Sequence, residues 1–196
     1  MKVATVFAGI CNIGIVGICA FQFYNYKVQE QKKLEQQEYI NTFIEEIVNN
    51  TENVVKIKFE DSIQISCLAK NIYFEARSES DLGKEAVAWT TLNRVNHGNY
   101  PSTVCGVVYQ ANLDEHDNPI KHKCSFSWYC DGKEDVIEDQ NSWVASVKLA
   151  YEVYYGDIKD PTEGSIMYHA EEVNPYWKDS YIKTVRIDNH IFYKEG

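Results

Sequence analysis

The sequence predicts an α+β domain in which several helices are followed, near the C-terminus, by a small antiparallel sheet. Two observations support this class. Apolar residues recur at helical spacing over residues 64–78, 83–97 and 141–155. Strand-like composition appears later in the chain, in the short runs SIMYHA, KTVRI and HIFYK, with a turn at Asp188-Asn189 between the last two.

The first predicted helix has its apolar stripe at Ile65, Leu68, Ala69, Ile72 and Ala76. The second is expected to stop at Gly98, because glycine commonly ends helices. A short third helix is predicted within residues 102–110, and residues 111–123 are predicted to be a loop. The segment CSFSWYCDG, residues 124–132, fits either a short strand or an ordered loop between two cysteines.

The N-terminal region differs from the rest. Val3 to Phe23 carries no charge, and about 20 apolar residues span a bilayer. We predict that residues 1–23 form a transmembrane signal anchor, because the apolar core of a cleaved signal is shorter, at ~7–15 residues. Cleavage nevertheless stays open. Residues 24–56 are predicted to be a helical connector and residues 57–196 the globular domain. The connector's apolar stripe comprises Ile40, Phe43, Ile44, Ile47 and Val48.

The net charge of −10 argues against a nucleic-acid partner, because binding phosphates requires clustered Lys and Arg. Lysines follow the predicted span, which by the positive-inside rule favours a cytoplasmic domain. The cysteines favour export instead. We therefore expect a single-pass inner-membrane protein with a periplasmic domain, or a domain released to the periplasm.

Four cysteines lie in the predicted domain, namely Cys67, Cys105, Cys124 and Cys130. An even number in an exported domain suggests two disulfides, with three possible pairings. Spacing does not decide among them; we favour Cys105–Cys124 with Cys67–Cys130. No C-x2-C pair is present, which argues against a zinc site. No metal and no cofactor is expected.

The stretch NIYFEARSE, residues 71–79, contains the candidate chemistry. Its charges fit a solvated helix end, but a partly buried Glu could serve as a general acid on a glycosidic bond. Glu75 and Glu79 would share a face of a continuous helix. Because a two-carboxylate hydrolase needs its acids about 5–9.5 Å apart, Glu79 or Asp81 is a possible second carboxylate.

Five segments occur in a distinctive order over residues 65–194: CLAKNIYFEARSE, AVAWTTLNRVNHGNYPSTVCGVVYQ, CSFSWYCDG, MYHAEEVNPYW and IDNHIFYK. Together they resemble the cell wall hydrolase family named for SleB and CwlJ, especially its Gram-negative and phage members. The resemblance implies a lysozyme-like, mainly helical domain that cleaves peptidoglycan glycan strands. Characterised members of that family act as lytic transglycosylases with one catalytic Glu, at the position of Glu75. Ser78 departs from the Gly that the family often has.

The resemblance and the nearby aromatics give the candidate substrate contacts, which are Tyr73, Phe126, Ser127, Tyr129, Tyr168, His169 and Trp177. Peptidoglycan is the expected partner, cut between N-acetylmuramic acid and N-acetylglucosamine. Two alternatives stay open. One is a hydrolytic muramidase, and the other is a non-catalytic wall-binding or assembly module. The sequence leaves the oligomeric state and a bacterial or phage origin undecided.

Overall fold

A computed structural model describes residues 23–35, 37–38, 40–42 and 59–196. The chain divides into two compact units, Met1–Lys56 and Ile57–Gly196. In the first unit the described residues are helical. The predicted membrane span lies outside the described residues except for Phe23, and so does the connector's apolar stripe except for Ile40. Within the described ranges, no helix has the length and apolar character needed to cross a bilayer.

Helices form most of the second unit. They are α1 (Phe59–Ala76), α2 (Asp81–Val95), α3 (Val104–Val108) and α4 (Gln140–Tyr154). Helix α1 packs against the other three, because its apolar residues are not confined to one narrow stripe. Leu68 and Ile72 are completely buried within it, as is Trp143 on α4. This arrangement fixes the C-terminal end of α1, where the candidate acid lies.

Two antiparallel sheets accompany the helices, so the α+β prediction is confirmed. Strands β1 (Ala111–Leu113) and β2 (Pro119–Cys124) form a hairpin. Strands β3 (Met167–Ala170), β4 (Ile182–Ile187) and β5 (His190–Lys194) form the second sheet, in the order β3-β5-β4. Phe192 and Ile187 of this sheet pack on Ala86 of α2, which joins the sheet to the helices.

The start of α2 is fastened to the turn between β4 and β5. Ser80 caps the helix by accepting a hydrogen bond from the Gly83 backbone N–H. The Asp188 carboxylate in turn accepts hydrogen bonds from the Ser80 N–H at 3.0 Å and from its hydroxyl at 2.6 Å. A Cβ on Gly83 would lie only 2.3 Å from the Asp188 Oδ2 atom, so the turn can approach this closely because residue 83 is glycine.

Several predicted boundaries need correction. Residues 111–123 are not a plain loop, since they contain β1 and most of β2. Of the two alternatives for the CSFSWYCDG segment, the structure fits the ordered loop between two cysteines: after β2 ends at Cys124, the segment forms a 3-10 helix, Ser127–Cys130. Helix α1 ends at Ala76 and α2 at Val95, before the predicted ends. Here turn residues end each helix earlier than the apolar pattern suggests.

The favoured disulfide pairing is wrong. The bonds are Cys67–Cys105 and Cys124–Cys130. Because α1 packs on α3, the Cα atoms of Cys67 and Cys105 lie 5.2 Å apart. Cys124 and Cys130 are separated by six positions in sequence and 6.2 Å between Cα atoms, so they close a small loop. These contacts depend on tertiary packing, which spacing alone does not reveal.

Candidate active site

Glu75 lies in the last turn of α1 and is partly buried. Its Oε2 atom accepts a hydrogen bond of 2.8 Å from the Tyr168 hydroxyl on β3. Burial raises the pKa of the Glu75 carboxyl, while the Tyr168 hydrogen bond and the positive charge of Arg94 oppose that rise. A carboxyl with a raised pKa keeps its proton to higher pH, which suits a general acid.

The orientation of strand β3 determines which of its side chains contacts Glu75. Tyr168 lies opposite Phe192 of β5, on the sheet face that packs on α2. Burial and the neighbouring Glu75 carboxylate raise the pKa of the Tyr168 hydroxyl well above its usual range, so this group is a hydrogen-bond donor at neutral pH. Because side chains alternate along a strand, His169 belongs to the opposite face.

On that opposite face His169 lies in an aromatic cluster. Its ring stacks on Tyr193 with centroids 5.3 Å apart and meets Trp177 edge-on at 5.7 Å. The two ring nitrogens are 2.8 Å from the Ala170 carbonyl and 2.9 Å from the Tyr193 hydroxyl. The predicted contacts Tyr168 and His169 thus belong to different surfaces. Trp177 packs on His169 and Tyr193.

The loop closed by the Cys124–Cys130 disulfide packs against Phe74, near the C-terminal end of α1. Its Trp128 ring stacks on Phe74, the residue before Glu75, with centroids 4.8 Å apart. The indole N–H of Trp128 donates to the buried Asn71 side chain, which fixes the ring. Tyr129 meets Tyr109 at 4.9 Å, and both are partly exposed. The result is an aromatic surface next to the end of α1.

Two predicted substrate contacts are core residues instead. Tyr73 is 1% exposed, and its hydroxyl accepts hydrogen bonds from the backbone N–H groups of Glu138 and Asp139. Phe126 is 2% exposed and packs under the Arg94 guanidinium. Neither ring has surface left for a sugar, so the expectation of substrate contact is corrected for both. Adjacent residues on a helix point in different directions, so Tyr73 faces the core while Phe74 faces the disulfide loop.

The remaining candidates are exposed or partly exposed. Ser127 is exposed at the start of the 3-10 helix. Glu79 follows the end of α1, so the premise that it shares a continuous helix face with Glu75 does not hold. Asp81 is in the first turn of α2, where it pairs with Lys84 at 3.0 Å and its side chain is 93% exposed.

Sequence reasoning missed Arg94, which is 6% exposed and acts electrostatically on Glu75. One signal could have identified it. Val87, Thr91 and Arg94 follow i, i+4, i+7 spacing on the buried side of α2, and a charged residue in such a stripe is unusual. Tyr109 and Phe74 were also missed. Phe74 is on α1 and Tyr109 follows α3, and no feature of the neighbouring sequence indicates that either side chain lies beside the disulfide loop.

A family profile described as "Cell Wall Hydrolase" matches residues 78–193, which is more than half of the chain. Glu75 lies just before the matched segment. Among curated proteins, a spore cortex-lytic enzyme from Halalkalibacterium halodurans is 28% identical over 129 residues, covering 65% of this chain and 34% of that protein. The chain spans less than half the length of the curated relatives reported to match it.

Two solved structures are also similar. The catalytic domain of the Bacillus cereus SleB protein has a TM-score of 0.52 and 26% identity, covering 67% of this chain and 89% of that domain. The catalytic domain of the germination-specific lytic transglycosylase SleB from Bacillus anthracis has a TM-score of 0.52 and 25% identity, covering 71% and 98%. The fold, the order of motifs and the family match agree, and the chain belongs to the SleB/CwlJ-type cell wall hydrolase family.

Proposed function

We propose that residues 57–196 cleave the glycan strands of peptidoglycan between N-acetylmuramic acid and N-acetylglucosamine, with Glu75 as the single acid and base. The observation that carries this proposal is the partly buried Glu75 carboxyl, with its raised pKa and its hydrogen bond from Tyr168. A glycosidic oxygen is a poor leaving group until it is protonated, and a carboxyl whose pKa is raised keeps the proton it must supply to a higher pH.

The proposed reaction returns every proton. Glu75 donates its proton to the bridging oxygen, and the bond between that oxygen and the anomeric carbon of N-acetylmuramic acid breaks. The resulting carboxylate accepts the proton of the C6 hydroxyl of the same sugar, whose oxygen bonds to the anomeric carbon. The product has a 1,6-anhydro end, and Glu75 is protonated again. The similar Bacillus anthracis domain is described as a lytic transglycosylase, which supports this choice.

The position of Glu79 also favours one acid. A two-carboxylate hydrolase needs a second carboxylate held opposite the first. Helix α1 ends at Ala76, so Glu79 is not held one turn beyond Glu75 by the same helix. A muramidase that uses water in place of the C6 hydroxyl is the alternative, and it would leave a reducing end.

Binding of the sugars is proposed for the aromatic surface formed by Phe74, Tyr109 and Tyr129. These partly exposed rings adjoin the end of α1, and aromatic side chains commonly line ligand clefts. The net charge of −10 gives no bulk attraction to anionic wall polymers, so recognition is expected to be local to this surface.

The test compares the oxidised full chain with its Glu75→Gln variant on purified peptidoglycan. The rate at which the peptidoglycan suspension clears should be at least about a hundredfold lower for E75Q than for wild type, since a general acid contributes roughly 10²–10⁴ in rate. Glu79→Gln is the matched control and should stay active. Mass spectrometry of the released fragments then separates anhydro ends from reducing ends. Equal clearing by wild type and E75Q would refute the role of Glu75, and folded wild type that only binds the wall would indicate a binding module.

A further inference from the structure

Arg94 is a buried cation on α2. Its Nε donates a hydrogen bond of 2.7 Å to the Ile166 carbonyl. Its guanidinium lies over the rings of Phe126 and Tyr100, at 4.9 and 5.4 Å from their centroids. The Nη1 atom is buried and has no hydrogen-bond partner in the described part of the chain.

This arrangement is unusual because a buried charge is normally paired with an opposite charge. Within the described ranges, no salt bridge to Arg94 is found at the usual 4 Å limit. The Ile166 carbonyl and the two rings compensate part of the lost hydration. A long neutral side chain could fill the same space without losing the hydration of a charge, so the positive charge itself indicates a function.

The positive charge acts on the two groups of the candidate site and also on Tyr100, where it opposes the rise in pKa that burial causes. Arg94 opposes the rise in the pKa of Glu75 and also opposes the rise in the pKa of Tyr168. The hydrogen bond to Ile166 has a second consequence. Ile166 precedes Tyr168 by two residues, so this bond from α2 fixes the chain where it enters β3.

In the described part of the chain, two ionisable groups act on the pKa of Glu75. The causes that act on its pKa are burial, the Tyr168 hydroxyl from β3 and the Arg94 guanidinium from α2. The disulfide loop contributes uncharged rings nearby, with Phe126 under the Arg94 guanidinium and Trp128 stacked on Phe74. Arg77, the first residue after α1, is exposed and lies over the ring of Tyr73.

We propose that Arg94 is a positioning residue that holds Tyr168 against Glu75 through Ile166 and supplies the counter-charge to the Glu75 carboxylate. This proposal rests on the proposed role of Glu75 as general acid. When the Glu75 proton has moved to the bridging oxygen, a carboxylate remains in a partly buried place. Arg94 stabilises that carboxylate until it accepts the proton of the incoming hydroxyl.

The first test compares Arg94→Met, which removes the charge, with Arg94→Lys, which keeps it. Activity on peptidoglycan should fall as pH rises through the pKa of Glu75, because the protonated form is the acid. In R94M the maximum rate should drop about tenfold, the effect of 1.4 kcal/mol in the barrier, and the alkaline limb of the pH profile should move to higher pH. In R94K the rate should drop but the limb should stay near that of wild type.

A merely structural role predicts a different result. Both variants would then lose activity in proportion to their lost thermal stability, with the alkaline limb unmoved. An R94M limb that coincides with the wild-type limb therefore overturns the proposal.

A second measurement does not require R94M to fold. The Nε–H signal of Arg94 is followed by NMR in the ¹⁵N-labelled full chain during a pH titration of wild type and E75Q. In wild type this signal should shift with the midpoint of the Glu75 carboxyl, and in E75Q it should not shift there. A wild-type signal that ignores the Glu75 titration overturns the proposal. An active E75Q would refute the proposed function while leaving this electrostatic coupling measurable, so the two failures are distinguishable.

Discussion

The Tyr168 hydroxyl donates a 2.8 Å hydrogen bond to the Oε2 atom of Glu75. The bond joins β3 to the last turn of α1, two elements that are far apart in sequence. It favours the carboxylate form of Glu75, whereas burial favours the protonated form, and burial is the larger effect. The pKa of Glu75 is therefore set by opposing contributions, and the two that lower it, from Tyr168 and Arg94, can each be removed by a substitution.

Tyr168→Phe removes the hydrogen bond and keeps the ring. The pKa of Glu75 should rise further, so the alkaline limb of the pH profile should move to higher pH. The maximum rate should fall several-fold, because the carboxyl loses a group that orients it. Both quantities are obtained from initial rates of peptidoglycan solubilisation between about pH 4 and pH 9.

Tyr154→Phe is the matched control for this change. The Tyr154 hydroxyl also donates to a carboxylate of α1, but that carboxylate is Asp61, at 3.1 Å. Asp61 lies roughly 21 Å from Glu75 along the helix axis, at 1.5 Å per residue. Loss of the Tyr154 hydroxyl should therefore leave the pH profile of activity unchanged. A limb that moves equally in both variants would mean that Tyr168 has no special relation to the acid.

Glu75→Gln should change how stability depends on pH. The folded-state pKa of Glu75 is raised above 4.5, the ordinary value for a Glu side chain. Wild type therefore loses stability as pH rises from the ordinary pKa through the folded-state pKa. The Gln variant carries no such charge. Its melting temperature should match wild type at about pH 4 and exceed it by a few degrees at neutral pH.

Asp114→Asn provides a control of opposite sign. Hydrogen bonds from the backbone N–H groups of Asn118 and His116 lower the pKa of Asp114. Wild type therefore keeps this contribution above the ordinary Asp pKa and loses it as pH falls. D114N should melt below wild type at neutral pH and approach it in acid. An E75Q variant that follows the D114N pattern would contradict the raised pKa of Glu75.

Sequence patterns could predict the helices and the late sheet, because apolar periodicity reflects which face each element buries. They could also single out Glu75 by its place among recognisable motifs. They could not predict that Tyr168 rather than His169 reaches Glu75. Alternation along β3 separates the two faces, but the packing of the whole sheet on α2 decides which face meets α1.

The contacts of Arg94 and the disulfide pairing could not be predicted from the sequence, for a related reason. The importance of Arg94 depends on Ile166 and Phe126, which come to it from two distant segments. The pairing of Cys67 with Cys105 depends on α1 lying against α3. Such contacts are set by tertiary packing, and spacing along the chain leaves them open.

Gly83→Ala should destabilise the domain although alanine favours helices. A Cβ at this position would lie 2.3 Å from Asp188 Oδ2 and 2.9 Å from the Glu79 Cβ. Overpacking costs about 1–3 kcal/mol, and with two contacts this short we expect a cost in the upper part of that range, above the gain of about 1 kcal/mol in helix propensity. The free energy of unfolding in urea measures the net effect.

Gly98→Ala is the control, because a Cβ there meets nothing within 4 Å. It should change the unfolding free energy little. The double variant G83A/D188G should lose less than the sum of its single variants, since removing the carboxylate removes the collision. Additive losses would show that Asp188 does not limit the space at residue 83.

Loss of one disulfide should mainly lower stability, and loss of the other should mainly lower activity. Replacing Cys67 and Cys105 with serine opens a link between residues 38 apart, and replacing Cys124 and Cys130 opens one between residues six apart. Loop-closure entropy gives losses of about 4 and about 2 kcal/mol respectively. Activity should follow the opposite order, because the smaller loop holds Trp128 against Phe74 beside Glu75. Urea midpoints and peptidoglycan clearing measure the two orders, with a non-reduced digest to verify the pairing. If the C67S/C105S variant proves both less stable and less active, the short disulfide has no special role in shaping the site.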